Sequence, residues 1–236
     1  MIAALRARCK PRRTWDQLAH ALSRSTDKVW IEAAQSATQL AEKLGGAEDN
    51  AELLQDGSAA LKAFESIGDQ RNAAAVRIHL AARHTDLGRR SGDAEQFEVA
   101  RWLAEQALEY GEEMKIFLTQ IQAHRQLGET LAAEGHLKEA YAQLELALEL
   151  TPAIEDPYVV AYTRKIAGAI LRRLAGTTTT LEVQQRQTQE ALKLLEAAQG
   201  TFESLNVKVE LAGIEVERAL LTVMINSLQP VLAETG

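Results

Sequence analysis

Residues 121–152 read IQAHRQLGETLAAEGHLKEAYAQLELALELTP, and this stretch decides the fold. Apolar and small residues recur three or four apart from Ile121 to Ala132, and again from Leu137 to Leu148. Each run matches one face of an α-helix. Gly135-His136 is too short a break for anything but a tight reversal, and Pro152 closes the second run. The spacing predicts two antiparallel helices forming a hairpin. Gly128, Ala140 and Ala147 are small residues within these two runs.

The same periodicity extends in both directions. It predicts ten helical stretches: 14–24, 26–44, 49–68, 70–89, 94–112, 114–134, 137–150, 157–175, 181–205 and 207–228. Punctuation separates them at Gly45-Gly46, Gly68-Asp69, Gly88 to Gly92, Gly135-His136, Pro152 to Pro157 and Thr177 to Thr180. Asp93 and Thr180 stand where helix N-caps are expected, with Asp27 near another. Composition agrees, since alanine and leucine make up roughly 30% of the chain and both favour helix. The four prolines at 11, 152, 157 and 230 leave everything between Pro11 and Pro152 free to be helical. The fold class is therefore all-α.

A register runs through these helices. Ala60, Ala107, Ala147 and Ala198 occupy matching places in every second helix, and Phe64-Glu65-Ser66-Ile67 is echoed by Phe202-Glu203-Ser204-Leu205. Stepping 21 residues from each alanine reaches Ala81, Gly128, Gly168 and Ala219, a small residue each time. Relative to the hairpin at 121–152, the other three carry about 7, 7 and 11 additional residues. Additions of that size are nearly whole helical turns, so they lengthen helices without rotating the packing face. Extended loops at Gly45–Asn50 and Arg89–Asp93 are the alternative.

The pattern Leu127-Gly128, Leu131, Gly135, Ala140, Leu144, Ala147, Pro152 resembles the tetratricopeptide repeat, with His124 where that family usually has tryptophan. The resemblance is close over residues 121–154 and degenerate elsewhere. It implies a right-handed α-solenoid of antiparallel hairpins, about ten helices, forming a single domain over 14–228. Residues 1–13 are then a basic, disordered arm and 229–236 a flexible tail. Leu40, Leu44, Leu80, Leu87, Leu103, Leu131, Leu144, Ile170 and Leu195 are expected in the core, with Trp30 and Trp102 as anchors.

No run of 18 apolar residues exists, so no membrane span is expected. The single cysteine, Cys9, has no partner for an internal disulfide, and no signal-peptide core precedes it; a cytoplasmic setting is expected. The net charge of −7 divides into a +5 arm, from Arg6, Arg8, Lys10, Arg12 and Arg13, and a −12 body. An acidic body disfavours nucleic acid.

Catalytic patterns are missing. The glycines form no phosphate loop, and the histidines at 20, 79, 84, 124 and 136 show no helical zinc or di-iron spacing. The expectation is a non-enzyme with no catalytic residues, no metal and no cofactor. The tetratricopeptide resemblance implies instead a protein-binding scaffold, with the first helix of each hairpin lining a concave groove. Carried onto this chain, the family's groove positions include Lys28, Ile31, Ile78, Gln122, Arg125, Glu129, Tyr162, Lys165, Arg172 and Arg173. The cations Arg125, Lys165, Arg172 and Arg173 suit a carboxylate-bearing protein or peptide, or else they pair with neighbouring glutamates.

Two other readings compete. Leu18-Ala19-x-x-Leu22-Ser23-Arg24-Ser25-x-x-x-Val29 resembles the core of a bacterial helix-turn-helix, which with the arm implies a DNA-associated regulator over 14–35. Its reading helix, Thr26 to Gln35, offers one cation, Lys28, beside Asp27 and Glu32, a poor set for contacting phosphates and bases. Alternatively the chain is a self-associating helical subunit of a larger signalling assembly, pairing through Leu220, Val223, Met224 and Ile225, or those residues cap the core.

Overall fold

The computed structural model describes residues 50–235, with side chains over 54–227. Two of the ten expected stretches, together with the basic arm, the helix-turn-helix-like segment, Trp30, Lys28 and Ile31, lie outside the described residues. The other eight are all helices: α1 (Asn50–Ser66), α2 (Gln70–Ser91), α3 (Ala94–Glu113), α4 (Phe117–Glu134), α5 (Leu137–Leu150), α6 (Pro157–Ala175), α7 (Leu181–Ser204) and α8 (Lys208–Thr235). A 3-10 turn, Thr151–Ala153, follows α5, and no strand occurs among the described residues. The last helix runs on through Pro230 to Thr235, past the expected end at 228.

Helix ends follow local chemistry. Asp69, Asp93 and Asp156 each accept a hydrogen bond from a backbone N–H in the first turn of the following helix. Thr180 holds the expected N-cap place, yet its side chain makes no capping bond. Its neighbour Thr178 instead ties the turn to α7, donating to Gln187 Oε1 at 2.8 Å.

Four turns are built alike. Gly68, Lys115, Gly135 and Asn206 all have positive φ. The next residue's N–H then reaches back to a carbonyl: Asp69 to Phe64 at 2.9 Å, Ile116 to Gly111 at 2.8 Å, His136 to Leu131 at 2.9 Å and Val207 to Phe202 at 2.9 Å. This is the Schellman closure, which satisfies helix-end carbonyls and favours glycine. The sequence announces it at Gly68 and Gly135; Lys115 and Asn206 adopt it without glycine.

The helices group into two compact units, with the boundary after Gln126 inside α4. In the first unit α1 packs on α2 and α2 on α3. Ala74, Ile78, Ala107 and Ala123 form a core there, joined by half-buried Leu108 and Tyr110. An added Cβ at Gly57 would sit 2.5 Å from Leu80 Cδ2, and one at Gly88 would sit 2.8 Å from Phe97 Cε1, so a larger residue at either would displace the facing side chain. Trp102 is not a core anchor: it is 56% exposed. The buried face of α3 runs through Phe97, Ala100, Leu103, Ala104, Ala107 and Gly111. Trp102 stands more than a quarter of a turn off that stripe, among Glu98, Glu105 and Glu109 on the exposed face.

In the second unit α5 packs on α6, α6 on α7 and α7 on α8. Its core includes Leu144, Ile170, Leu171, Leu195, Phe202, Ile214 and Leu221. The register alanines 60, 107, 147 and 198 are all fully buried, as is Ala81. Ala219, reached by the same 21-residue step, is exposed. It lies on the last described helix, where no later described helix exists to cross it.

In the two longer hairpins among the described residues, the additions go mainly into helix. Ala81 stands ten residues before the end of α2, whereas Gly128 stands six before the end of α4. Ala100 lies six residues into α3, whereas Ala140 lies three into α5. The proposed loop at Arg89–Asp93 therefore shrinks to Gly92 and Asp93, since α2 continues to Ser91. In the α6–α7 hairpin most of the addition is two turns at the start of α7, ahead of Ala191.

Candidate functional site

The groove positions fall into three environments. Ile78 is a core residue of the first unit, 5% exposed. Along α4, Gln122 and Arg125 are buried and Glu129 half-buried. Thr119, Gln120, His124, Gln126 and Thr130 are buried as well, so α4 carries an unusual polar load inside. Part of it is satisfied locally. Gln120 Nε2 donates to the Gly111 carbonyl at 2.8 Å, and Gln126 Nε2 to Thr85 Oγ1 at 3.2 Å. Burying amides is tolerable only with such partners.

The third environment, on α6, is the most organised. Tyr158, Tyr162, Lys165 and Arg172 recur at helical spacing, so one face of α6 presents two rings and two cations. Tyr158 and Tyr162 stack with ring centroids 6.0 Å apart, and Phe202 meets Tyr158 edge-on at 5.6 Å. Lys165 Nζ lies 5.4 Å from the Tyr162 ring centre.

Both cations are engaged by α8. Lys165 Nζ pairs with Glu210 Oε2 at 2.7 Å, and Arg172 Nε with Glu217 Oε2 at 2.5 Å. Tyr158 donates its hydroxyl to the other Glu210 oxygen at 3.1 Å. Side-chain exposure of the four charged groups runs from 14% to 21%, which places the pairs where screening by water is incomplete. Gly213 lies directly beneath the lysine, where a Cβ would sit 3.1 Å from Lys165 Nζ. Arg173 points elsewhere and donates to the Ala132 carbonyl at 2.9 Å.

Thus Tyr162, Lys165 and Arg172 come together, but with intramolecular glutamates as their partners. The acids Glu210 and Glu217 were missed as members of this cluster. The signal was present: they stand seven apart, as Lys165 and Arg172 do, and each pair spans 45 residues. Matching seven-residue steps on two helices align charges along a shared seam.

Beside the cluster, Tyr141 of α5 is half-buried, and its hydroxyl pKa is pushed up to about 12 by burial and by Glu145 and Glu190. It stays neutral across the physiological range. At the N-terminal end of α6, Glu155, Asp156, Arg164 and Thr201 help line an open depression of about 260 Å³. Among the described residues no three histidine, cysteine or acidic side chains gather as a metal site. No described helix is long and apolar enough to cross a membrane. Neither a family model nor a curated protein matches the chain.

Proposed function

We propose that the chain is a non-enzymatic scaffold of the tetratricopeptide kind, a right-handed solenoid that holds a protein or peptide segment along its first helices. One observation carries this reading, the recurrence of a single crossing in two hairpins. An added Cβ on Gly128 would lie 2.9 Å from the Ala140 carbonyl oxygen and 3.0 Å from Leu144 Cγ. An added Cβ on Gly168 would lie 3.1 Å from the Ala191 carbonyl oxygen and 2.9 Å from Leu195 Cγ. The same glycine, alanine and leucine meet in both. Repeats built on one crossing make extended surfaces, and such surfaces serve binding.

The arrangement on α6 refines which partner fits. Lys165 and Arg172 are satisfied by Glu210 and Glu217, so an acidic segment gains little there unless it displaces them.

Photo-crosslinking tests the reading. A crosslinking side chain placed at Asp86 of α2, Ala133 of α4 or Arg173 of α6, which the resemblance also puts on the groove and which are half-buried or exposed, should capture one partner from lysate of the source cells when introduced into the full chain. A synthetic peptide from that partner should then bind the purified chain and be displaced by the intact partner. Capture confined to positions outside these first helices, or turnover of the captured molecule, would overturn it.

A further inference from the structure

The last helix is apolar on two sides. Ile214 and Leu221 face inward and are fully buried. On another face Val209, Val216, Leu220 and Val223 are 67%, 60%, 45% and 69% exposed, with Ala212 and Ala219 exposed between them. Residues 209, 212, 216, 219 and 223 follow the alternating three- and four-residue steps of a helix-pairing seam, which Asn226 ends. A contiguous exposed apolar stripe of this kind ordinarily marks an interaction surface.

We propose that this stripe is a dimerisation face, closed by the same stripe of a second copy with the two α8 helices antiparallel. Size and charge both select that occupant. Valine fills 209, 216 and 223, and alanine fills 212 and 219. Antiparallel pairing sets both alanines of each copy against valines of the other, with one valine left at the end of the stripe, whereas parallel pairing sets valine on valine and leaves a gap at each alanine. Along the two edges, residues 206, 208, 213, 215, 220 and 222 include only two charges, Lys208 and Glu215, of opposite sign. The chain as a whole carries −7, so copies repel elsewhere, and this neutral strip is where they can meet. A charged peptide finds nothing there to grip. The contact is self-complementary and closes on itself, which limits assembly to two copies.

The test uses the full chain, with mass followed by light scattering from about 1 µM to about 1 mM, the range in which a small interface associates. The expected result is a monomer–dimer equilibrium that Val216→Glu abolishes and Trp102→Glu leaves unchanged. Both positions are exposed, so neither variant threatens the fold, and circular dichroism checks this. For direction, Cys9→Ser removes the native thiol. Ala212→Cys should then form disulfides with Val209→Cys, Val216→Cys or Val223→Cys rather than with itself. A monomer at every concentration overturns the proposal, as would follow if another part of the same chain covered the stripe. So does a dimer indifferent to Val216→Glu, or one in which Ala212→Cys links to itself.

Discussion

The α4–α5 and α6–α7 hairpins share a crossing and differ in almost everything else. Gly128 meets Ala140 and Leu144 in the first, and Gly168 meets Ala191 and Leu195 in the second. Yet α5 has 14 residues and α7 has 24. A two-residue turn joins the first pair of helices, and the second is joined by residues 176–180. The close approach of backbones is what recurs, and a side chain at either glycine would press on the facing helix. Length is free so long as whole turns are added.

The comparison breaks most sharply at the leucines. Leu144 and Leu195 are both fully buried, and replacing either by alanine should cost about 2–5 kcal/mol in chemical denaturation. Equal losses would mark the crossings as equivalent. A loss at only one would show that the second hairpin leans on its longer helix instead.

Next come the glycines. Gly128→Ala and Gly168→Ala should each cost about 1–3 kcal/mol by overpacking. Gly128→Ala should be the worse, since its nearest obstacle is a backbone oxygen, while Gly168 first meets a side chain that can turn. Reversed order in the unfolding midpoints would mean that Leu195 is held as rigidly as the backbone.

A pH titration probes what links the hairpins. Tyr141 of α5 lies near Glu190 of α7, and its pKa is raised from 10.0 to about 12. Between those values the unfolded chain releases the proton and the folded chain keeps it, so stability should fall as pH rises from about 10 towards about 12. Below that window the contribution is constant. Tyr141→Phe should flatten this part of the stability curve relative to the native chain; an unchanged slope would assign it to other groups.

The smallest effects belong to the turns. Gly135 closes the short hairpin, and Asn206 adopts similar backbone geometry after the long one. Asn206→Gly should stabilise by a few tenths of a kcal/mol and Gly135→Ala should destabilise by about 1 kcal/mol, both read as shifts in melting temperature. Lys115→Gly should gain more than Asn206→Gly, because lysine lacks asparagine's tolerance of positive φ.

Much of this was legible beforehand, for identifiable reasons. Helix spans follow from local periodicity, and the register alanines are buried because a crossing tolerates nothing larger. Trp102 misled because an isolated large apolar residue looks like an anchor wherever it stands. Its place five residues after Phe97 and two after Ala100 puts it off the buried stripe. The cations of α6 were visible as a group, but their partners were not singled out, since Glu210 and Glu217 look like ordinary surface acids in an acidic chain.

Over the described residues, the sequence by itself determined where the helices run, where the chain turns and which alanines are buried in register. Those depend on neighbours within a few positions, and the code for them is local. Only the tertiary structure decided that Lys165 and Arg172 are held by α8, that α4 buries polar side chains, and that one apolar face of α8 stays open. Each depends on what a distant segment places opposite a side chain, and the periodicity of a single helix carries no record of its neighbour.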